Sequence, residues 1–117
     1  FLVNGCADLY NPKTVRATMG AVFRCPVWTC DVNTLRDLLT ASGLPMYGAA
    51  LRADTLDARA VDYSRCAIAI GSEGKGLSQA MLERCDRTVL IPMQAHCESL
   101  NAAIAATVLL WEAARND

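Results

Sequence analysis

The chain has 117 residues, of which 53% are hydrophobic and 20% are charged. This length suits one small domain with its own core, and the composition excludes a disordered chain. Its 11 basic and 12 acidic residues leave a net charge of −1, which argues against a protein that grips nucleic acid by bulk charge alone.

The first part of the chain is predicted as a strand, a helix and a second strand. Residues 1–4 read as the end of a strand. Asn11 as N-cap and Pro12 as a first-turn proline predict a helix that continues to about Phe23. Residues 27–30 form the next short strand.

The middle of the chain continues the alternation of helices and strands. A helix begins at Asp31 or Asn33 and ends near Ser42, because Gly43 and Pro45 follow. The next strand covers 46–52. Residues 54–65 are polar and turn-like, with one helical turn expected at 56–61.

The last part carries the strongest pattern. Residues 66–70 form an apolar strand that runs into a loop with three glycines, and a helix at 77–85 and a strand at 87–93 follow. Ser99 is expected to cap a final helix, Leu100 to Arg115, which is apolar nearly all round. Alternating strands and helices predict an α/β fold with a mostly parallel sheet and helices on both faces.

Loops at the ends of neighbouring parallel strands meet at one edge of a sheet, and open α/β sheets hold ligands at that edge. We therefore expect the glycine loop and the start of the final helix to converge. The final helix is too apolar to be covered by the sheet alone, which favours a second subunit against its other side.

Several other classes of protein are disfavoured. No apolar run approaches the length of a transmembrane helix, so no membrane partner is expected. The six cysteines form no Cys-x-x-Cys pair, which favours reduced thiols in a cytosolic protein. No metal is expected, because the neighbours His96 and Cys97 cannot both easily face one tetrahedral ion.

Three blocks of the sequence, in order, resemble the SpoU/TrmH family of RNA 2′-O-methyltransferases in the SPOUT superfamily. IGSEGKGLS is followed twenty residues after its first glycine by IPM, and then by ESLNAAIAA; upstream stands LYNPKTVRATMGAVFR. The resemblance implies a SPOUT-type fold with a C-terminal trefoil knot, and a homodimer formed through the C-terminal helix. It also implies methyl transfer from S-adenosylmethionine to a ribose 2′-hydroxyl of rRNA or tRNA in the cytoplasm.

The resemblance assigns a slot for S-adenosylmethionine. Gly71, Ile91 and Leu100 match positions whose counterparts contact this cofactor, and Ala50 and Met93 are expected to line the same slot. Ile91 and Leu100 are equally well explained by core packing. For Gly71, contact with a ligand is the favoured interpretation.

Three polar residues match positions around the reacting centre of the family, and we take them as the catalytic candidates: Glu73, Ser99 and Asn101. Alternatives stay open for two of them, because Glu73 could stabilise the glycine loop or a helix N-terminus and Ser99 could act only as a cap. His96 titrates in a suitable range but lies at a variable position of the family, so it is not selected.

RNA contacts are expected from three basic residues on one side of the predicted first helix: Lys13, Arg16 and Arg24. A solvated basic face is the alternative. The absence of any acidic residue between Asp8 and Asp31 favours contact with phosphates.

The family's motif 1, which supplies an asparagine and an arginine, has no match in this chain. We therefore expect residues 1–117 to be a single methyltransferase domain that is incomplete at its N-terminus. The alternative function is a catalytically inactive, dimerising remnant that binds the cofactor or RNA. A nucleotide-phosphate loop at Gly74-Lys75-Gly76 is excluded, because the Gly-x-x-x-x-Gly-Lys-Ser/Thr spacing is not present.

Overall fold

The computed structural model describes residues 1–97 and 100–115. The chain divides into two compact units, residues 1–38 and residues 39–117. Each unit is built around parallel strands.

The first unit is a parallel strand pair connected by helical turns. β1 (Leu2–Val3) pairs with β2 (Thr29–Cys30). Between them lie α1 (Pro12–Ala17) and a 3-10 turn at Ala21–Phe23. The side chain of Asn11 accepts a backbone hydrogen bond from the first turn of α1, so the predicted N-cap is confirmed.

The prediction of one continuous helix from Pro12 to Phe23 is wrong in its second half. α1 ends at Ala17, and Met19 and Gly20 follow with φ angles of +49° and +86°. Left-handed residues cannot continue a right-handed hydrogen-bond ladder, and glycine adopts this conformation without a steric penalty. The chain therefore turns before its 3-10 segment begins.

Helix α2 (Val32–Ala41) runs across the boundary between the two units. The carboxylate of Asp31 accepts a hydrogen bond from the backbone N–H of Thr34 at 2.7 Å, which confirms Asp31 as the cap. Gly43 follows the helix with a φ of +67°, in agreement with its predicted role as a stop.

The second unit contains, within its described residues, a four-stranded sheet in the order β4, β6, β3, β5. All neighbouring strands are parallel, as the sequence predicts. Its elements are β3 (Met46–Ala49), β4 (Leu56–Asp57), a 3-10 turn (Ala58–Ala60), β5 (Ala67–Ala69), α3 (Gln79–Arg84), β6 (Arg87–Leu90) and α4 (Ala102–Arg115).

One face of this sheet packs against α4. Ala58, Val89 and Leu109 form a buried cluster, and Leu109, on α4, is only 1% exposed. Side chains at alternate positions along β3, β5 and β6, and directly after the last two, pack around the cluster: Tyr47, Ala49, Ile68, Ile70 and Ile91. The period of two places all of them on the same face.

The opposite face of the sheet lies against α3 and the residues that flank it. Gly48 lies between Tyr47 and Ala49 on β3, so its missing side chain would point away from α4. A Cβ at Gly48 would lie 2.6 Å from Sγ of Cys85 and 2.9 Å from Cδ1 of Leu77. Helices therefore cover both faces of the four-stranded sheet, which confirms the predicted layering.

Two predicted strands and one predicted helical turn of the second unit differ from the structure. The strand predicted at Met46–Arg52 ends at Ala49, and the strand predicted at Arg87–Met93 ends at Leu90. The helical turn expected at 56–61 is the short strand β4 followed by a 3-10 turn. β4 exists because it pairs with β6, a long-range contact that local sequence does not reveal.

The final helix was predicted from Leu100 to Arg115 and begins at Ala102. Leu109 faces the core, whereas Ile104, Leu110 and Trp111 are 52%, 63% and 72% exposed. This second side of α4 is a large apolar surface open to solvent within the single chain. No helix among the described residues combines the length and the apolar character needed to cross a membrane.

We predict that Gly48→Ala lowers the free energy of unfolding by about 1–3 kcal/mol, because the new methyl group overlaps the buried Cys85 thiol. Cys85→Ala removes that sulfur. In a double-mutant cycle measured by chemical denaturation, the two changes should therefore couple favourably by about 1 kcal/mol.

Gly43→Ala is the matched control, because a Cβ there would meet no atom within 4 Å. Gly43→Ala should lower the free energy of unfolding only by the strain of alanine in a left-handed conformation, and this loss should not couple to Cys85→Ala. Additive energies for Gly48→Ala and Cys85→Ala would show that α3 does not pack tightly on this strand.

Candidate functional site

Three strands of the second unit have their carboxyl ends at the same end of the sheet, which we call its carboxyl edge. The register pairs Gly48 with Ala69 on one side and with Thr88 on the other. Ala50 after β3 and Gly71 after β5 therefore leave the sheet at the same edge as the chain following β6, which continues to Ile91. Ligands of open parallel sheets bind at this carboxyl edge.

The loop after β5 closes on itself. Ser72 and Gly76 form an antiparallel bridge in which the N–H of each donates to the carbonyl of the other, at 3.2 and 2.8 Å. A Cβ on Gly71 would overlap the backbone of Gly76 and Leu77. Glycine at position 71 is thus required by the closure of the loop, independently of any ligand.

The glycine loop contacts the start of α4. Nδ2 of Asn101 donates a hydrogen bond to Oε1 of Glu73 at 2.5 Å. Oδ1 of Asn101 accepts from the backbone N–H groups of Ala103 and Ile104 at 2.9 and 3.3 Å, which makes Asn101 the cap of α4. The predicted convergence of these two loops is therefore present in the structure.

Two catalytic candidates meet in this contact, Glu73 and Asn101, and both are exposed. Glu73 accepts a hydrogen bond from Asn101, the cap of α4. This contact fits the alternative role expected for Glu73, a carboxylate that supports a helix N-terminus. The third candidate, Ser99, lies outside the described residues. The cap expected of Ser99 therefore stays a prediction.

The residues expected to line a cofactor slot differ in burial. Ile91 packs against the cluster beneath α4, which is the core-packing alternative named for it. Leu100 is 36% exposed, and Met93 and Ala50 are half-buried. The backbone N–H of Ala50 donates to the carbonyl of Gly48 at 3.0 Å, a tight turn directly after β3.

A pocket of about 270 Å³ lies at the same strand ends. The residues that line it are chain neighbours of the predicted slot residues: Leu51 follows Ala50, and Leu90 and Pro92 flank Ile91. Successive side chains of an extended chain point to opposite sides, so the pocket lies on the other side from the predicted positions. The remaining lining residues follow β3 in the chain: Arg52, Thr55, Leu56 and Asp57. Sequence analysis missed this side of the strands, although the charged pair Arg52 and Asp54 just after a strand was a signal.

Arg52 forms an ion pair with Asp54 beside this pocket. Its guanidinium donates to both carboxylate oxygens of Asp54, at 2.6 and 2.7 Å. These bonds lower the pKa of Asp54 to about 2. The hydrogen bond from Arg59 likewise lowers the pKa of Asp57 to about 2. Both carboxylates are therefore ionised and partnered at neutral pH.

The basic candidates lie in the first unit and are exposed. Lys13 and Arg16 belong to α1, three residues apart, and share one side of it. Arg24 follows the 3-10 turn, beyond the left-handed break at Gly20. The helical arrangement predicted for all three residues therefore applies only to the first two.

The first unit also has a larger concavity, of about 580 Å³, at the end of β1. Its polar groups are used locally, because Asp8 accepts from the N–H of Tyr10 and the thiol of Cys6 donates to the carbonyl of Val3. None of the candidate residues lines it. All six cysteines are free, and among residues 1–97 and 100–115 no three metal-binding side chains cluster.

Comparison with known proteins finds one matching family profile and relatives that are named as RNA methyltransferases. The profile of the SpoU rRNA Methylase family matches residues 1–111. The 23S rRNA (guanosine(2553)-2′-O)-methyltransferase RlmP of Bacillus subtilis is 34% identical over 110 residues, 94% of this chain and 44% of that protein. The tRNA (guanosine(18)-2′-O)-methyltransferase of Thermus thermophilus is 38% identical over 86 residues, 73% of this chain and 44% of that protein.

A solved structure shares the fold. The AdoMet-bound rRNA methyltransferase from Sinorhizobium meliloti superimposes with a TM-score of 0.89 at 32% identity, over 98% of this chain and 44% of that one. The chain thus spans less than half the length of these relatives. With the family profile matched over nearly its whole length, the chain belongs to the SpoU rRNA Methylase family.

Proposed function

We propose that this chain is the cofactor-binding part of an enzyme that transfers a methyl group from S-adenosylmethionine to a ribose 2′-hydroxyl of rRNA or tRNA. One observation carries the proposal: the glycine loop and the cap of α4 are joined by the bond between Asn101 and Glu73 at the carboxyl edge of the sheet. Family membership and the names of the relatives support it.

The residues at this edge suit the cofactor. Half-buried Ile91 and Met93 and partly exposed Leu100 offer apolar surface for an adenine ring, and Ala50 and Gly71 offer backbone groups beside it. The carboxylate of Glu73 suits a ligand that carries positive charge. When bound, S-adenosylmethionine supplies an electrophilic methyl group on its sulfonium sulfur.

The polar residues would act on the other reactant. A hydroxyl is a weak nucleophile at neutral pH, so it must be oriented and must lose its proton during transfer. We assign orientation to Asn101, which is hydrogen-bonded to Glu73, and keep Ser99 as the third catalytic candidate. Glu73 holds an acceptor oxygen at this position, and Asn101 holds Glu73 in place.

The same proposal covers the remaining architecture. Residues 1–117 would belong to one methyltransferase domain in the cytoplasm, with the segment from β6 to α4 threaded through an earlier loop as a trefoil knot. Lys13, Arg16 and Arg24 would contact RNA phosphates, since they are exposed and basic. The alternative of an inactive remnant lacks support, because the relatives reported above are named as methyltransferases.

A homodimer is part of the proposal as well. The exposed side of α4 carries Ile104, Leu110 and Trp111, an apolar surface suited to a second copy of the chain.

We predict that the folded chain binds S-adenosylmethionine and that Leu100→Arg raises its Kd at least about a hundredfold, because an arginine fills the slot and adds a repelling charge. Isothermal titration calorimetry measures this. Leu38→Arg, at an exposed leucine of α2 outside the slot, is the control and should bind normally. A folded wild-type chain that does not bind would contradict the proposal.

In a complete enzyme that contains this chain together with the motif 1 region, we predict that Asn101→Asp lowers methyl transfer about a hundredfold, measured with radiolabelled cofactor on rRNA and tRNA. Aspartate keeps the cap acceptor of α4 but presents a carboxylate to Glu73 in place of the donor. Asn101→Ala should also lose about 1 kcal/mol of helix stability. Full turnover by Asn101→Asp would reduce Asn101 to a capping residue.

We predict that Trp111→Glu converts a dimer into a monomer, because it places a charge in the centre of the apolar side of α4. Light scattering after gel filtration measures the mass. Met19→Glu, at an 88% exposed residue of the first unit, should leave the dimer intact. A monomeric wild-type chain would contradict this interface.

A further inference from the structure

Thr88 is the one polar residue that is buried in the part of the chain described by the structure, with 0% exposure. Its Oγ1 lies 2.7 Å from Oγ1 of Thr55 and donates to Oδ1 of Asp54 at 3.4 Å. A buried hydroxyl needs such partners, because an unsatisfied polar group is costly in the interior. Valine would fill the same space on β6 without needing partners. The specific contribution of the Thr88 hydroxyl is therefore its hydrogen bonds to Thr55 and Asp54.

The partners of Thr88 lie in the connection between β3 and β4, residues 50–55. Oγ1 of Thr55 accepts from the N–H of Arg52 at 2.6 Å. It also lies 2.7 Å from the carbonyl of Arg52 and 3.4 Å from the carbonyl of Ala50, either of which can accept its proton. Through these contacts, Thr55 holds the 50–55 connection in a turn next to Ala50.

Arg52 ties the same connection to α3. Besides its two bonds to Asp54, Nη1 donates to the carbonyl of Leu82 at 2.9 Å and Nη2 donates to the carbonyl of Cys85 at 3.4 Å. These carbonyls belong to the last turn of α3 and to the residue that caps it. The planar fork of arginine makes four such bonds possible, whereas lysine offers a single ammonium group.

We propose that Thr88, Thr55 and Arg52 are positioning residues that hold the 50–55 connection in place and thereby preform one wall of the cofactor slot. The inference rests on the proposed function, because Ala50 is a wall only if the cofactor binds at this edge. A wall fixed before binding spares the ordering cost on association, so the network sets cofactor affinity.

The test uses calorimetry with S-adenosylmethionine on the full chain. Thr88→Val replaces the hydroxyl with a methyl group of similar size, and the Kd should rise about tenfold, the equivalent of one buried hydrogen bond. Thr88→Ser keeps the hydroxyl, and its Kd should stay within about twofold of wild type, since the hydrogen bond remains. Val61→Ala, at a residue that packs against the buried cluster on the opposite face of the sheet, should lower the thermal midpoint without changing the Kd.

Arg52→Lys provides a second measurement that does not alter the core, since the Arg52 side chain is 28% exposed. It should also raise the Kd, because the links to α3 and Asp54 are reduced. Wild-type affinity in both Thr88→Val and Arg52→Lys would overturn the inference while leaving the proposed function intact. A loss of affinity in Val61→Ala equal to that in Thr88→Val would show a general effect of stability and would overturn it too. Failure of the wild-type chain to bind would overturn both.

Discussion

The hydrogen bond between Asn101 and Glu73 is the contact on which the arrangement of the site depends. It joins two loops that are far apart in the chain, one closed by glycines and one that starts α4. Asn101 uses its oxygen to cap the helix and its nitrogen to hold Glu73, so helix geometry and loop position are set by one side chain. The proposed cofactor site is therefore coupled to the helix whose outer side is proposed to form the dimer.

Two glycines show how tightly this edge of the sheet is built. Gly48 lets α3 approach β3, and Gly71 lets the loop after β5 close on its own backbone. Neither role needs a ligand, yet both bring structure close to the carboxyl ends of the strands. On the other side of β3, the network from Thr88 to Arg52 holds the next connection against α3. The carboxyl edge of the sheet is thus supported by close packing at Gly48 and Gly71 and by the hydrogen bonds of Thr88 and Arg52.

Local caps and the general arrangement of a parallel α/β sheet could be predicted from the sequence. Asn11 and Asp31 are caps, the strands are parallel, helices cover both faces of the larger sheet, and the two loops meet. The left-handed turn at Met19 and Gly20 was missed because an isolated glycine is compatible with a helix. The Thr55–Thr88 bond spans 33 residues and depends on which strand lies beside which, so no local pattern indicates it. Which face of β6 lines the pocket likewise follows from packing, not from periodicity alone.

The central claim is that the glycine loop and the start of α4 together enclose the methyl donor. Titration of the isotope-labelled chain with S-adenosylmethionine, followed by the NMR shifts of backbone amides, tests it most directly. We expect the amides of residues 71–76 and of residues 101–104 to shift together and to saturate at the same concentration. Shifts confined to one of these loops, or confined to the first unit, would contradict it.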